Sequence, residues 1–228
     1  NVNSAVLNQE LFAEYVQNYE FDYCVAVDGD GDRIVLSDNK GTIFTGDDIL
    51  YTLASRNKMI GKDHSDTVVG TTMSNQGVVE ALGKLGVSFL RTDVGDKYIS
   101  RELVKHNLNV GAEPSGHVIQ REFSESGDAN IALIQTLAAL QELDTTIAEI
   151  KKNIDYKPLS LKNFSVSDIE VVESEIFIES INKLKKNHPE ARISVRKSGT
   201  EPIIRAMVEA ETEKDKDFIL GEIESLIS

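Results

Sequence analysis

One cysteine in 228 residues, no long apolar run and too few bases to balance the acids set the first bounds on this chain. A single thiol, Cys24, rules out a disulfide within the chain, and a reduced cytosolic setting is expected. Cys24 opens an apolar run, Cys24-Val25-Ala26-Val27, with no basic neighbour in sequence, so a structural thiol is expected there rather than a nucleophile. No stretch has the ~20 consecutive apolar residues of a membrane span, and no signal-peptide pattern appears. Lys and Arg total 24 against 38 Asp and Glu, a net charge of −14. That balance argues against nucleic acid and against anionic membrane surfaces as general partners, although a few local arginines can still hold a small anion. Internal repeats and low-complexity segments are also missing. The remainder is 40% hydrophobic and 27% charged, ordinary for a globular chain long enough for one to three domains. The opening residues, Asn1-Val2-Asn3-Ser4, carry no initiator Met, which raises the expectation that the chain is cut from something longer.

The most informative stretch is Asp28-Gly29-Asp30-Gly31-Asp32-Arg33, directly after that apolar run. Three carboxylates this close repel one another unless a cation sits among them, and hard oxygen donors suit Mg²⁺ or Ca²⁺. The two glycines let the backbone curl so that all three acids face one point. An EF-hand also begins Asp-x-Asp-x-Asp, but it needs Gly at its sixth position and Glu at its twelfth. Arg33 and Asn39 stand there, and no helix leads into the loop. A solvated acidic turn is the plainer alternative, and strict alternation ending in Arg speaks against it.

Apolar spacing predicts a helix over residues 8–19, a strand over 23–27, and a hairpin of 34–36 with 42–44 turning at Asp38-Asn39-Lys40-Gly41. Asp47 or Asp48 is expected to cap a helix running to Arg56. Strands at 67–71, 87–90 and 109–111 then alternate with helices at 75–85 and 96–106, the pattern of βαβ units and a mainly parallel sheet. A long helix is expected from Asp128 to about Lys151. Pro158 marks a linker over 153–160. Beyond it come a strand or two within 159–173, a helix over 173–187, strands at 192–196 and 203–211, and a last helix over 213–227. The expected fold is thus α/β in three parts: a partial domain over residues 1–45 with the metal-binding loop, a complete α/β domain over 46–153, and a small α+β domain over 154–228.

Two further motifs carry chemistry. Arg196-Lys197-Ser198-Gly199-Thr200-Glu201-Pro202-Ile203-Ile204-Arg205 offers two arginine forks, two hydroxyls and the exposed N–H groups of a tight turn, a set suited to phosphate. It lacks Walker A spacing. Gly111-Ala112-Glu113-Pro114-Ser115-Gly116-His117 sets a carboxylate and a hydroxyl beside a histidine, suited to neighbouring sugar hydroxyls, with His117 able to move a proton near neutrality. In parallel sheets such loops, with Thr71–Asn75 and Thr92–Lys97, fall at the carboxyl ends of strands, where ligands bind.

These three motifs, in this order and spacing, resemble the α-D-phosphohexomutase superfamily over essentially the whole chain. The resemblance implies a four-domain enzyme, three related α/β domains and a smaller C-terminal one around a cleft, that moves a phosphoryl group between the 6 and 1 positions of a hexose. Thr72–Asn75, Val94–Lys97, Gly127-Asp128 and Ser198–Pro202 point within it to glucosamine phosphates and amino-sugar biosynthesis, with glucose and mannose phosphates as alternatives. By resemblance, Asp28, Asp30 and Asp32 hold Mg²⁺ with a phosphoserine oxygen. Arg33 sits beside that phosphate, and Glu113 and Ser115 grip sugar hydroxyls. Arg196, Ser198, Gly199, Thr200 and Arg205 bind the phosphate that is not transferred. Lys97 and His117 are the candidates for proton transfer or for steadying charge, His117 lying also within the sugar-binding set. The resemblance raises a homodimer, and it makes 153–160 a hinge, because the sugar must turn over between half-reactions. Two departures stand out. No Ser-His-Asn-type phosphoserine motif is present, so the chain is expected to lack the phosphate donor and to be inactive alone, binding phosphosugar without turnover. Pro114 stands where Gln or Met is expected in the sugar loop.

Overall fold

The computed structural model describes residues 12, 14–16, 20–62, 66–166, 169–198 and 202–227. By internal contacts the chain forms two compact units, residues 1–155 and 156–228.

The first unit opens with an antiparallel meander, β1 (Tyr23–Val27), β2 (Ile34–Asp38) and β3 (Ile43–Phe44), in the order β1-β2-β3. Val27 pairs with Ile34, so the acidic loop is the β1–β2 turn itself. The next turn is closed by Asp38 Oδ1, which accepts the N–H groups of Lys40 at 2.9 Å and Thr42 at 2.8 Å. Residues 12 and 14–16 are helical, and Phe12 packs on Val35 with Cys24, Ala26 and Ile43 at its edge. The rest of the helix expected over 8–19 lies outside the described residues. Cys24 is half-buried, and burial pushes its thiol above the usual value.

Helix α1 (Gly46–Met59) runs through the middle of the unit and buries Ile49, Leu50, Leu53 and Ala54 almost completely. Its cap is Thr45, not the aspartates expected: Asp48 Oδ2 accepts the Thr45 N–H at 2.6 Å, completing a capping box one turn earlier. Asp48 is also fully buried against Lys151, whose Nζ lies 3.1 Å from both carboxylate oxygens.

A four-stranded sheet follows, built from β4 (Thr67–Thr71), β5 (Ser88–Thr92), β6 (Val110–Ala112) and β7 (Val118–Gln120) in the order β5-β4-β6-β7. β4 is parallel to β5 and β6, while β7 returns antiparallel to β6. Helices α2 (Gln76–Lys84) and α3 (Asp96–Lys105) are the crossovers, and Ile99 and Leu103 of α3 pack on Val69 and Ile119. Two expectations need correction here. β7 is a strand that periodicity missed, three residues long after a tight loop. The single helix expected over 128–151 is two, α4 (Ala129–Glu142) and α5 (Ile147–Lys152). Asp144 takes φ 49 and ends the first, and Thr146 restarts the chain with a second capping box to Glu149.

The second unit is an antiparallel sheet of β8 (Leu159–Ser165), β9 (Arg192–Lys197) and β10 (Ile203–Glu209) in the order β8-β10-β9, covered by α6 (Glu175–Asn187) and α7 (Glu213–Ile227). Its core joins Phe164, Ile204 and Val208 of the sheet to Phe177, Ile181, Ile219 and Ile223 of the helices. Burying such side chains gains about 1.5–3 kcal/mol each. Ile169–Glu173 is a 3₁₀ turn where a second strand was one of the options. Among the described residues no helix is long and apolar enough to cross a membrane.

Candidate active site

Alternating glycines let the β1–β2 turn fold back on itself. Gly31 has φ 76, its N–H donates to Asp28 O at 3.3 Å, and the Asp28 N–H donates to Arg33 O at 3.3 Å. Carboxylate oxygens of Asp28, Asp30 and Asp32 thereby come within 4.8 Å of one another. Asp32 Oδ1 is buried with no hydrogen-bond partner. Three hard oxygen donors converging beside an unsatisfied buried one fit a divalent cation of the Mg²⁺ class. The charges respond unequally. Burial pushes Asp32 above the usual carboxylate range, a hydrogen bond with Asp28 and the charges of Asp28 and Asp30 add to it, and His117 opposes them. For Asp28, burial also raises the carboxyl, but the Arg33 N–H at 3.1 Å, the Asp32 hydrogen bond and the Arg33 charge together hold it below that range. The Arg33 side chain is half-exposed, with Nε 3.8 Å from both Asp28 and Asp32.

The sugar-loop candidates lie against this turn. Ile34 N–H donates to Gly116 O at 3.1 Å, and Arg33 and His117 form an isolated antiparallel bridge. Gly116 is required there twice over: its φ is 93, and a Cβ would stand 2.0 Å from Ile34 O. His117 is 4% exposed, and its Nδ1 hydrogen-bonds with Asp32 Oδ2 at 3.0 Å. The other face of its ring covers Gly127, where a Cβ would meet ring atoms at 2.5–2.8 Å, and Nε2 has no partner. His117 therefore braces a candidate metal ligand. Ala129 N–H, at the start of α4, adds a bond of 3.0 Å to Gly31 O.

Glu113, 8% exposed, accepts the Gly95 N–H at 2.9 Å through Oε1, and Ser115 Oγ donates to its Oε2 at a long 3.4 Å. That bond joins the loops after β5 and β6. Lys97, on the exposed first turn of α3, carries its Nζ 4.9 Å over the Tyr98 ring. Asp28, Asp30, Asp32, Arg33, Glu113, Ser115 and His117 thus share one patch, with Lys97 joined to it through Gly95.

In the second unit, Arg196 and Arg205 stand directly opposite each other in the β9–β10 register, and both are exposed. Like charges facing across a pair of strands repel, and an anion between them relieves that repulsion. Ser198 N–H donates to Ile203 O at 2.9 Å at the base of the turn, while Gly199 and Thr200 lie outside the described residues. Lys197 points elsewhere, paired with Glu170 at 2.7 Å and Glu173 at 2.6 Å, bonds that raise its ammonium above the usual value.

Two family models match most of the chain. The α/β/α domain III of phosphoglucomutase/phosphomannomutase matches residues 45–156, and the C-terminal domain of the same family matches 161–224. The chain belongs to the α-D-phosphohexomutase superfamily. It is 36% identical over 220 residues to phosphoglucosamine mutase of Staphylococcus haemolyticus, covering 94% of this chain and 48% of that protein. It is 39% identical over 208 residues to phosphoglucosamine mutase of Hahella chejuensis, covering 90% and 46%. The fold is similar to that of Aspergillus fumigatus N-acetylphosphoglucosamine mutase in complex with GlcNAc-6P and magnesium, at TM-score 0.73 and 18% identity, over 94% of this chain and 52% of that one. The chain spans about half the length of the curated relatives it matches.

The sequence does not reveal the contacts of Gly46, Asp47 and Gly127. A Cβ on Gly46 would stand 1.9 Å from Glu113 O, so the start of α1 is pressed against the Gly111–His117 loop. Asp47 is buried beneath Ser74 and Asn75. The only signal in the sequence was Gly-Asp-Asp before an apolar run, which reads as an ordinary helix start.

Proposed function

We propose that this chain supplies the metal, sugar and phosphate loops of a phosphoglucosamine mutase, interconverting glucosamine 6-phosphate and glucosamine 1-phosphate in amino-sugar biosynthesis. The observation that carries the reading is the joining of the acidic turn to the sugar loop through Asp32 and His117, with an opposed arginine pair in the second unit. The names of the curated relatives favour glucosamine over glucose or mannose.

Asp28, Asp30 and Asp32 would hold Mg²⁺, which when bound draws charge from a phosphoryl oxygen. Arg33 lies half-exposed beside the cluster and adds a fork for the phosphoryl group in transit. Glu113 and Ser115 accept and donate to neighbouring sugar hydroxyls, fixing the ring so that the reacting oxygen is in line. Lys97 supplies positive charge from an exposed first turn. Arg196 and Arg205, with Ser198, Gly199 and Thr200, anchor the phosphate that stays in place. Phosphoryl transfer draws chiefly on such positioning and charge neutralisation. The phosphate-donating serine of this reading belongs to the half of the relatives' length that this chain does not match. A cytoplasmic setting and a homodimer are part of the reading.

Calorimetric titration of the chain with glucosamine 6-phosphate in Mg²⁺ is the test. Saturable binding without turnover is the expected outcome. Turnover by the chain alone would show that the phosphate donor lies within it, and absence of binding would remove the phosphosugar reading.

A further inference from the structure

Asp47, the second residue of α1, is 4% exposed. Its Oδ2 accepts the Asn75 N–H at 2.8 Å, and its carboxyl also bonds the Ser74 side chain, while Oδ1 is buried with no partner. Asn75 is the cap of α2, and its own side chain accepts the Gly77 N–H. The Thr71–Asn75 turn is held from the opposite side by Arg91, whose Nη1 donates to Thr71 O at 3.1 Å and Ser74 O at 2.9 Å. Gly46, one residue before Asp47, has no room for a side chain because Glu113 O and Gly116 N lie against it. Two consecutive residues at one helix end therefore touch two different loops at the carboxyl ends of β4 and β6. Glu113 carries the connection on to Gly95 after β5. The charged groups that act on Asp47 are Asp48 on its own helix and Arg91 from β5. Burial is the leading cause that pushes its carboxyl up to about 7, with Asp48 adding and Asn75, Ser74 and Arg91 pulling down.

We propose that Asp47 is a positioning residue of the sugar site: its carboxyl locks the Ser74–Asn75 turn to the helix end on which Gly46 seats the Glu113 loop, so that the loops of β4, β5 and β6 move as one. The proposal rests on the phosphosugar reading for its consequence and on the geometry alone for the coupling.

Amide hydrogen exchange and calorimetry on the same chain separate the two. Asp47→Ala is expected to speed exchange at Asn75 and also at Gly116 by at least about tenfold, and to weaken glucosamine 6-phosphate about tenfold, the worth of one buried hydrogen bond. Asp47→Asn, which keeps an acceptor of the same shape, restores most of both losses. Ser74→Ala reads the coupling from the other end and should speed Gly116 exchange as well, which keeps the test open if the alanine variant at 47 does not fold. Faster exchange confined to Asn75, with Gly116 and affinity unchanged, would reduce Asp47 to a local helix anchor and overturn the proposal. If the unmodified chain binds no glucosamine 6-phosphate, the phosphosugar reading fails, and exchange at Gly116 still decides the coupling.

Discussion

The two charged sites of this molecule are built on opposite plans. In the first unit the acidic turn is braced from within: Asp32 is held by a buried histidine, Gly31 by the start of α4, and Ile34 by Gly116. In the second unit Arg196 and Arg205 stand exposed on the face of a three-stranded sheet, and the core lies on the other side. On the proposed function, the contrast follows from what each would hold. A small hard cation needs oxygens placed to within tenths of an ångström, and only packing can keep three aspartates so close. A phosphate is larger, and two arginine forks reach it with charge and length to spare. Damage to the braced site should therefore appear as lost stability or metal affinity, and damage to the open site as lost ligand affinity.

The sharpest way to break the comparison is Gly116→Ala. A methyl there would enter Ile34 O at a residue already in left-handed backbone, and the first unit should lose about 3 kcal/mol in chemical denaturation, with the second unit unaffected. Equal loss in both units would contradict the internal bracing. Next comes the double change Arg196→Ala with Arg205→Ala. Calorimetry should show glucosamine 6-phosphate weakened about a hundredfold, from two charge-assisted contacts, with the melting temperature little changed because both side chains are exposed. A large fall in melting temperature would mean that the arginines serve the fold. The smallest effect is expected from His117→Asn, which should weaken Mg²⁺ about tenfold by titration while leaving the chain folded. Unaltered Mg²⁺ affinity would show that Asp32 needs no brace.

Much of the fold can be read from the sequence, because Gly, Pro and β-branched runs punctuate the chain where strands and helices change. The failures are local and have causes. Apolar spacing continues from Leu140 through Ile147 to Ile150, so nothing in the periodicity marks the break that Asp144 and Thr146 impose. β7 is too short for alternation to show. At the site, residues with distinctive chemistry announced themselves: three alternating aspartates, Glu113 beside Ser115, and two arginines flanking a turn. What stayed hidden was contact between distant segments. No pattern says that Gly127 lies under the His117 ring, or that Gly46 carries the Glu113 loop, because a glycine needed for close approach looks like one needed for a turn.

The buried pairing of Asp48 with Lys151 has a consequence for how this sequence can drift. Both oxygens of Asp48 face the ammonium, and losing Lys151 leaves the fully buried Asp48 carboxylate without its cation, whereas the Lys151 side chain is 28% exposed. A lineage that gives up the lysine must therefore exchange the aspartate as well, although 103 positions separate them along the chain. The first turn of α1, with Gly46 and Asp47 upon it, is thereby hostage to a lysine that no motif search would inspect.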